Sequence, residues 1–300
     1  MQNTSKVLMI RPLHFIFNEE TAVNNSFQSK TDADNLAEKA LGEFDAFVQA
    51  LRKERIDVTV VEDSPDPHTP DAIFPNNWIS FHESGVYCLY PMFARNRRSE
   101  RKPEVLKLIS EKFNYNRLVD LTAYESRNLF LEGTGSMVLD RESRIAYACL
   151  SPRTDHLVLN EFCSKMNYRP IVFHAVNEEG LPIYHTNVMM CVADRYVVIC
   201  LDSIRNGDEK KLVEQTILKS GKEIIEITTN QMNRFAGNML QLENDRKEKI
   251  LVMSDAAWSS LTMDQKEKLL QYNRVVHASL QNIETNGGGS ARCMIAEIHQ

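Results

Sequence analysis

Several features are missing from this sequence, and each absence excludes a class of protein. Its 300 residues contain no apolar run close to the roughly 18 residues that a membrane-spanning helix needs. With 35 Lys and Arg against 41 Asp and Glu, the net charge of −6 gives no overall basic field for nucleic acid or an anionic membrane. Residues 1–10 hold one lysine and a short apolar run, which is not the pattern of a signal peptide. We therefore expect a globular protein that binds neither nucleic acid nor a membrane.

The cysteines form no C-x-x-C pair, so the sequence predicts neither a structural zinc site nor a redox pair. Four of them lie in apolar, strand-like runs, as buried free thiols do. Together with the absence of an export signal, this predicts reduced thiols and a cytoplasmic protein with no metal or organic cofactor. The six are Cys88, Cys149, Cys163, Cys191, Cys200 and Cys293.

The hydrophobic periodicity predicts a repeated unit of strand, hairpin, strand, helix and strand, about 50 to 60 residues long. The first unit has strands at 78–82, 86–90 and 117–121, with a helix at 103–113. Three more units begin near residues 136, 187 and 239.

A fifth unit is left in two pieces at the ends of the chain. Residues 292–298 supply its first strand. Residues 6–10, a helix from Asp32 to Arg55 capped by Thr31 or Asp32, and residues 57–61 supply the rest. The sequence thus predicts a single α/β domain over residues 1–300, a five-bladed propeller of ββαβ repeats closed into a ring by its two ends. The alternative is an ordinary α+β chain without true repeats.

The unusual polar residues come just before the first strand of each unit. In a closed ring these five segments would meet at one end of the central axis and deliver their side chains to one cavity. They are Asp71 to Asn77, which includes Asn76, then Glu132-Gly133-Thr134-Gly135, His185-Thr186-Asn187, Arg234 to Asn238, and Asn286-Gly287-Gly288-Gly289 leading to Cys293.

Three of these residues have the types that covalent catalysis requires. A thiolate at Cys293 would attack an electrophilic carbon, and His185 would move protons to the leaving group and from water. Glu132 would orient the substrate or share a proton with His185. Each has a structural alternative: a small core thiol, a satisfied buried imidazole, and a carboxylate that only accepts from backbone amides.

These motifs resemble the guanidino-group-modifying, or pentein, superfamily over nearly the whole chain. Its members include arginine deiminases, dimethylarginine hydrolases, agmatine deiminases and amidinotransferases. The form Leu-Glu-Gly-Thr-Gly-Ser at 131–136 is most similar to arginine-deiminase-related proteins described as citrulline-utilisation hydrolases. The resemblance implies that Cys293 is the nucleophile and that His185 and Glu132 are its acid–base partners.

The same resemblance implies the contacts that hold the substrate. Asp71 matches a substrate-contacting aspartate, and Arg98 and Arg153 match arginines that bind the α-carboxylate with a planar fork. For Arg98, the adjacent Arg95 and Arg97 are open alternatives.

The departures from the family pattern concern the substrate. Deiminases place aspartates where this chain has Asn77 and Asn187. Two neutral amides suit a ureido group, because burying a guanidinium without a counter-charge is costly. The sequence therefore predicts hydrolysis of citrulline to ornithine, ammonia and carbon dioxide, with Asn76 also at the substrate.

Other readings of the sequence stay open. They are arginine deiminase, dimethylarginine hydrolase, amidinotransferase and, from another class, a non-catalytic pentein that binds a partner. The oligomeric state is open, a homodimer included, and residues 17–30 are either a lid or a disordered insert.

Overall fold

The computed structural model describes residues 1–31 and 34–300, and in these residues the chain forms five separate three-stranded sheets with helices packed on them. The strands are β1 Lys6–Arg11, β2 Asp57–Glu62, β3 Ile79–His82, β4 Val86–Leu89, β5 Arg117–Asp120, β6 Val138–Asp140, β7 Ile145–Cys149, β8 Arg169–Phe173, β9 Met190–Val192, β10 Tyr196–Ile199, β11 Glu223–Glu226, β12 Leu240–Glu243, β13 Lys249–Ser254, β14 Arg274–Ala278 and β15 Ala296–Glu297. The helices are α1 Glu19–Ala22, α2 Leu36–Lys53, α3 Pro103–Phe113, α4 Gly133–Ser136, α5 His156–Met166, α6 Thr186–Met189, α7 Gly207–Lys219, α8 Thr229–Met232, α9 Asp255–Ser260, α10 Met263–Tyr272 and α11 Gln281–Gly287. Short 3₁₀ turns lie at Pro75–Asn77, Asn96–Glu100, Thr122–Arg127 and Leu201–Ser203.

All five sheets have the same plan, which confirms the predicted repeat of five α/β units. The first strand of each unit pairs antiparallel with the second, and the second pairs parallel with the third across a helical connection. In the first unit, Ile79 of β3 lies opposite Leu89 of β4, and Val86 of β4 lies opposite Arg117 of β5. The sheets are β3-β4-β5, β6-β7-β8, β9-β10-β11, β12-β13-β14 and β15-β1-β2.

The fifth sheet joins the two ends of the chain, with Val7 of β1 opposite Glu297 of β15. The strand predicted over 292–298 is wrong in extent, because only residues 296–297 pair. Before them the backbone turns: the Cys293 N–H donates to the Ser290 carbonyl at 2.9 Å. Cys293 therefore lies in a turn after α11, where its own backbone bonds replace the ladder of a strand.

Short helical turns precede the first strands of three further units, where extended chain was predicted from residues 78, 136 and 187. The 3₁₀ turn at Pro75–Asn77, α4 and α6 occupy these places, and the strands begin one to three residues later. The Met137 N–H donates back to the Gly133 carbonyl at 3.2 Å, which closes the turn of α4. A window of four residues is too short for periodicity to separate such a turn from a strand.

Of the two helices predicted with bounds, the one at 103–113 agrees with the structure and the first one differs. α3 has the predicted bounds, and the Asp155 carboxylate caps α5 by accepting from the Leu157 N–H at 2.8 Å. α2 was predicted from Asp32, which lies outside the described residues, and begins at Leu36. Thr31 does not cap it, because its N–H and hydroxyl both donate to Asn286 Oδ1.

The inner face of α2 packs on the central strand of the fifth sheet. Phe44, Phe47 and Leu51 are fully buried against Val7 and Met9 of β1. Each such side chain contributes about 2 to 3 kcal/mol by leaving water. This packing holds the N-terminal half-unit in place beside the turn that carries Cys293.

Truncating this interface should destabilise the whole chain. We expect Phe47→Ala to lower the free energy of unfolding by about 3 to 5 kcal/mol, because it removes a fully buried ring and leaves a cavity. Urea unfolding followed by circular dichroism measures the change. Leu218→Ala, at a side chain that is 60% exposed, is the control and should change it by less than about 0.5 kcal/mol. Equal losses in both variants would contradict the packing described.

Candidate active site

The polar segments at the strand entrances meet at one small cavity. Of the nine residues predicted for the site, five line this cavity. Asn187 contacts the Cys293 thiol, Glu132 contacts the His185 imidazole, and Asn76 accepts a hydrogen bond from Asn77. The free space at its centre is about 10 Å³, room for about one water molecule. The lining residues are Thr21, Asn25, Asp71, Phe74, Asn77, Arg97, Arg153, Tyr184, His185, Gly287, Gly289 and Cys293.

An imidazole and two charged groups form a buried set at its wall. His185 Nε2 and Glu132 Oε2 are 2.8 Å apart, and Arg153 Nη1 is 3.5 Å from the same carboxylate oxygen. Burial lowers the pKa of His185 to about 4, although Glu132 opposes the shift. Burial also acts to raise the pKa of Glu132, but Arg153 and His185 outweigh it and hold the pKa at about 2. At neutral pH the carboxylate is therefore ionised and the imidazole is neutral, ready to accept a proton.

The Cys293 thiol receives two amide donors. Asn187 Nδ2 lies 3.4 Å and Asn238 Nδ2 lies 3.2 Å from its sulfur atom. Asn238 is fully buried, and its other contacts are to the Asn187 carbonyl at 2.9 Å and the Arg292 N–H at 3.1 Å. Two N–H donors aimed at one sulfur can stabilise negative charge that develops on it during a reaction. Asn238 was recognised as part of the fourth entrance but not as a neighbour of the thiol, since nothing in the sequence links units four and five.

The Asn187 side chain has a second property that bears on ligands. Its Oδ1 is buried and has no hydrogen-bond partner among the described residues, and the same holds for Oδ1 of Asp71. Unsatisfied buried acceptors are rare in folded proteins. Both oxygens are therefore available to N–H groups of a bound molecule.

Asn76 and Asn77 are held against the glycines of the second entrance. Asn77 Nδ2 donates to Asn76 Oδ1 at 3.0 Å, and Asn77 Oδ1 accepts from Arg97 Nη1 at 2.7 Å. A Cβ on Gly135 would come within 2.6 Å of Asn77 Nδ2 and 2.7 Å of His185 Nδ1. A glycine is required there so that amide and imidazole can approach the same backbone.

Arg98 was predicted to contact the substrate, but its neighbour Arg97 is the arginine of this cluster that lines the cavity. Arg98 is partly exposed, its Nε donates to the Met92 carbonyl at 3.0 Å, and it does not line the cavity. Arg97 does line it, buried, with its Nε 2.8 Å from Glu100 Oε1 and 3.8 Å from Asp71 Oδ2. Burial raises the pKa of Asp71, against the opposing effect of Arg97. In this conformation Arg153, not Arg98, is the predicted arginine that lines the same cavity as the thiol.

Residues 17–30, for which the sequence left open a lid or a disordered insert, lie over the cavity. α1 lies within this segment, and the Asn18 side chain donates to Asp71 Oδ2 at 2.8 Å. Arg153 donates to Asn24 Oδ1 at 2.7 Å and to the Thr21 carbonyl at 2.6 Å. The segment thus covers the site and uses its charged groups as anchors.

A sequence model of the eukaryotic N,N-dimethylarginine dimethylhydrolases matches residues 11–300 of this chain. The chain belongs to this family. It is therefore a guanidino-modifying pentein enzyme, a hydrolase of non-peptide C–N bonds. No curated protein sequence matches the chain.

Solved structures show the same fold at low identity. The N-terminal domain of ArgZ, caught with a covalent reaction intermediate, is 19% identical with a TM-score of 0.77, over 98% of both chains. The chain spans 40% of full-length ArgZ, an arginine dihydrolase of cyanobacteria, at the same identity and TM-score. A histidine-to-glycine variant of dimethylarginine dimethylaminohydrolase, in adduct with S-methyl-L-thiocitrulline, is 14% identical with a TM-score of 0.65, over 99% of this chain and all of that one.

None of the helices within 1–31 and 34–300 combines the length and apolarity that a bilayer crossing needs. In the same residues, no three His, Cys, Asp or Glu side chains come together as metal ligands.

The two amide donors predict a measurable reactivity. We expect iodoacetamide at neutral pH to alkylate Cys293 first, because burial raises the pKa of the other five thiols. Asn238→Ala should slow that alkylation by about tenfold, the effect of losing one hydrogen bond of about 1.5 kcal/mol to a charged acceptor. Rates come from mass spectrometry of the labelled peptides. Asn244→Ala, at an equally buried amide outside the site, is the control; equal rates in all three proteins would contradict the assignment.

Proposed function

We propose that this enzyme hydrolyses the terminal ureido group of citrulline through Cys293, giving ornithine, ammonia and carbon dioxide. The observation that carries the proposal is the free Asn187 Oδ1 at the thiol. It offers a neutral acceptor to a substrate N–H at the place where attack occurs. A neutral site of this kind favours a neutral group.

The roles follow from the protonation states. Neutral His185 accepts the thiol proton, and the thiolate attacks the ureido carbon. The imidazolium then protonates the departing amine, and a covalent acyl intermediate forms on Cys293. In the second half, His185 takes a proton from water, which attacks the same carbon and releases the thiolate together with a carbamic acid. The carbamic acid then breaks down to carbon dioxide and the second amine. Glu132 holds the imidazole in position and stabilises its positive charge in each half.

Substrate binding requires the covering segment to move, because the central space is too small for an amino acid. Arg153 then exchanges the Asn24 and Thr21 oxygens for the substrate α-carboxylate. Asp71, released by Asn18, accepts N–H donors of the substrate. Arg97 holds Asn77 in place, and Arg98 stays a predicted carboxylate contact that would require a rearrangement.

The comparison with ArgZ is compatible with this chemistry. ArgZ is an arginine dihydrolase of the ornithine–ammonia cycle, and a second hydrolysis of arginine would act on a ureido group, because the first turns a guanidino group into a ureido group. The residue types at Asn77 and Asn187 suit that second step. The family match supports a second candidate, hydrolysis of N,N-dimethylarginine to citrulline and dimethylamine.

We also propose that residues 1–300 form one domain in which the five sheets close into a ring. Contacts between neighbouring units support closure on all five sides. The turn Pro75–Asn77 contacts α4, β6 contacts β9, and β9 contacts β12. The Arg292 N–H donates to Asn238 Oδ1 between units four and five, and β15 contacts β3 between units five and one.

The proposed reaction predicts a definite product pattern. We expect the protein, incubated separately with citrulline, arginine and N,N-dimethylarginine, to form ornithine and ammonia from citrulline. Amino-acid chromatography and an ammonia assay measure both products. Cys293→Ala should abolish turnover, whereas Cys163→Ala should retain it. Conversion of arginine to citrulline and no further would refute the ureido substrate, and dimethylamine release alone would favour the second candidate.

Substrate choice should depend on the charge beside the thiol. Asn187→Asp places a carboxylate there, so we expect the ratio of kcat/KM for arginine over citrulline to rise by about tenfold or more, since a guanidinium then gains a counter-charge. Asn206→Asp is the matched control, because Asn206 is an exposed helix cap where aspartate serves equally well. An unchanged ratio, with activity retained, would show that Asn187 does not read the charge of the substrate.

A further inference from the structure

A second polar cavity lies where the first strands of three units end, at the ends that are farther from Cys293. His82 ends β3, Arg141 follows β6, and His299 follows β15. β3 begins next to Asn77 at the catalytic site and has four residues, a span of about 13 Å. The residues around this cavity, called here the Arg141 cavity, are His82, Glu83, Arg141, Arg144, Tyr168 and His299.

The Arg141 guanidinium is buried without a carboxylate of its own. Within the described chain, its one acceptor inside 3.5 Å is His82 Nδ1, at 3.4 Å. The nearest carboxylate oxygen, Glu297 Oε2, is 4.0 Å away and already accepts from Arg292 Nη2 at 2.8 Å. Two guanidinium groups therefore share one carboxylate, which leaves a surplus positive charge in a buried place.

The mouth of the cavity repeats this imbalance. Arg144 Nη2 lies 3.3 Å from Glu83 Oε2, and the N-terminal ammonium of Met1 lies 3.0 Å from the other oxygen of the same carboxylate. Arg144 and the ammonium are about half exposed or more, so the buried surplus is the one at Arg141. Because an uncompensated buried charge is unfavourable, that surplus favours a further negative charge.

The two histidines do not correct the balance. His82 Nε2 is 2.7 Å from Ser80 Oγ, which leaves Nδ1 as the acceptor that faces Arg141. Burial, followed by the charge of Arg141, lowers the pKa of both His82 and His299. Both imidazoles are neutral at physiological pH and supply dipoles but no counter-charge.

From this charge surplus and this enclosure, we propose that the Arg141 cavity binds a monatomic anion, chloride under physiological conditions. Its free space is about 10 Å³, the size of one water molecule or one small ion, which excludes phosphate and carboxylic acids. The ion would accept N–H groups of Arg141 that have no protein acceptor. A bound water would satisfy the same donors but would leave the charge surplus in place.

Crystals grown in bromide test the site directly. We expect an anomalous peak within hydrogen-bond reach of the Arg141 guanidinium in the wild-type protein and none in Arg141→Met. A water peak at that position in the presence of bromide would overturn the proposal. This readout needs only the wild-type protein, so it holds even where the variant does not fold.

Thermal unfolding supplies the second readout, in chloride and in gluconate at equal ionic strength. We expect chloride to raise Tm by about 2 °C when present at ten times its dissociation constant. Arg117→Met, at an exposed arginine, should keep this response, and Arg141→Met should lose it. A bromide peak without any Tm response specific to chloride would mean an adventitious ion only and would refute a built site.

Discussion

The carboxylate of Glu132 has no contact with solvent, and the catalytic arrangement depends on how its charge is kept there. It accepts from the Phe93 N–H at 2.9 Å, contacts His185 at 2.8 Å and lies 3.5 Å from Arg153. A buried carboxylate without such partners would take up a proton. Because these partners come from different units, the charge state of the site is a property of the assembled sheets.

The backbone around Glu132 is held by hydrogen bonds as well. Ser136 Oγ accepts from the Glu132 N–H at 2.8 Å and donates to the Arg153 carbonyl at 2.7 Å, so one hydroxyl ties the carboxylate and its arginine together. The covering segment, by contrast, is attached through exchangeable hydrogen bonds to Arg153 and Asp71. A substrate that replaced these bonds with equivalent ones would uncover the site at a small net cost. Under the proposed mechanism, these two kinds of attachment would give a rigid catalytic set beneath a displaceable cover.

The proposed preference for a ureido group depends on what surrounds the sulfur. Asn187 and Asn238 donate to it and bring no charge. The Glu132 carboxylate is engaged by His185 and Arg153, whereas Oδ1 of Asp71 has no partner among the described residues. A guanidinium would therefore meet few free negative charges near the thiol. The dimethylhydrolase family and ArgZ share the fold, so the difference between their reactions would depend on a few side chains of this kind.

The sequence alone determined the five-unit plan, because alternating apolar residues, turn signals and caps such as Asp155 act locally. It also determined which entrances carry Glu132, His185 and Cys293, since these types stand out in otherwise apolar surroundings. Only the tertiary structure decided the choice of Arg97 over Arg98 at the cavity, the contact of Asn238 with the thiol, and the position of residues 17–30. Those features depend on which way a side chain points and on contacts between distant units, and neither is encoded in local spacing.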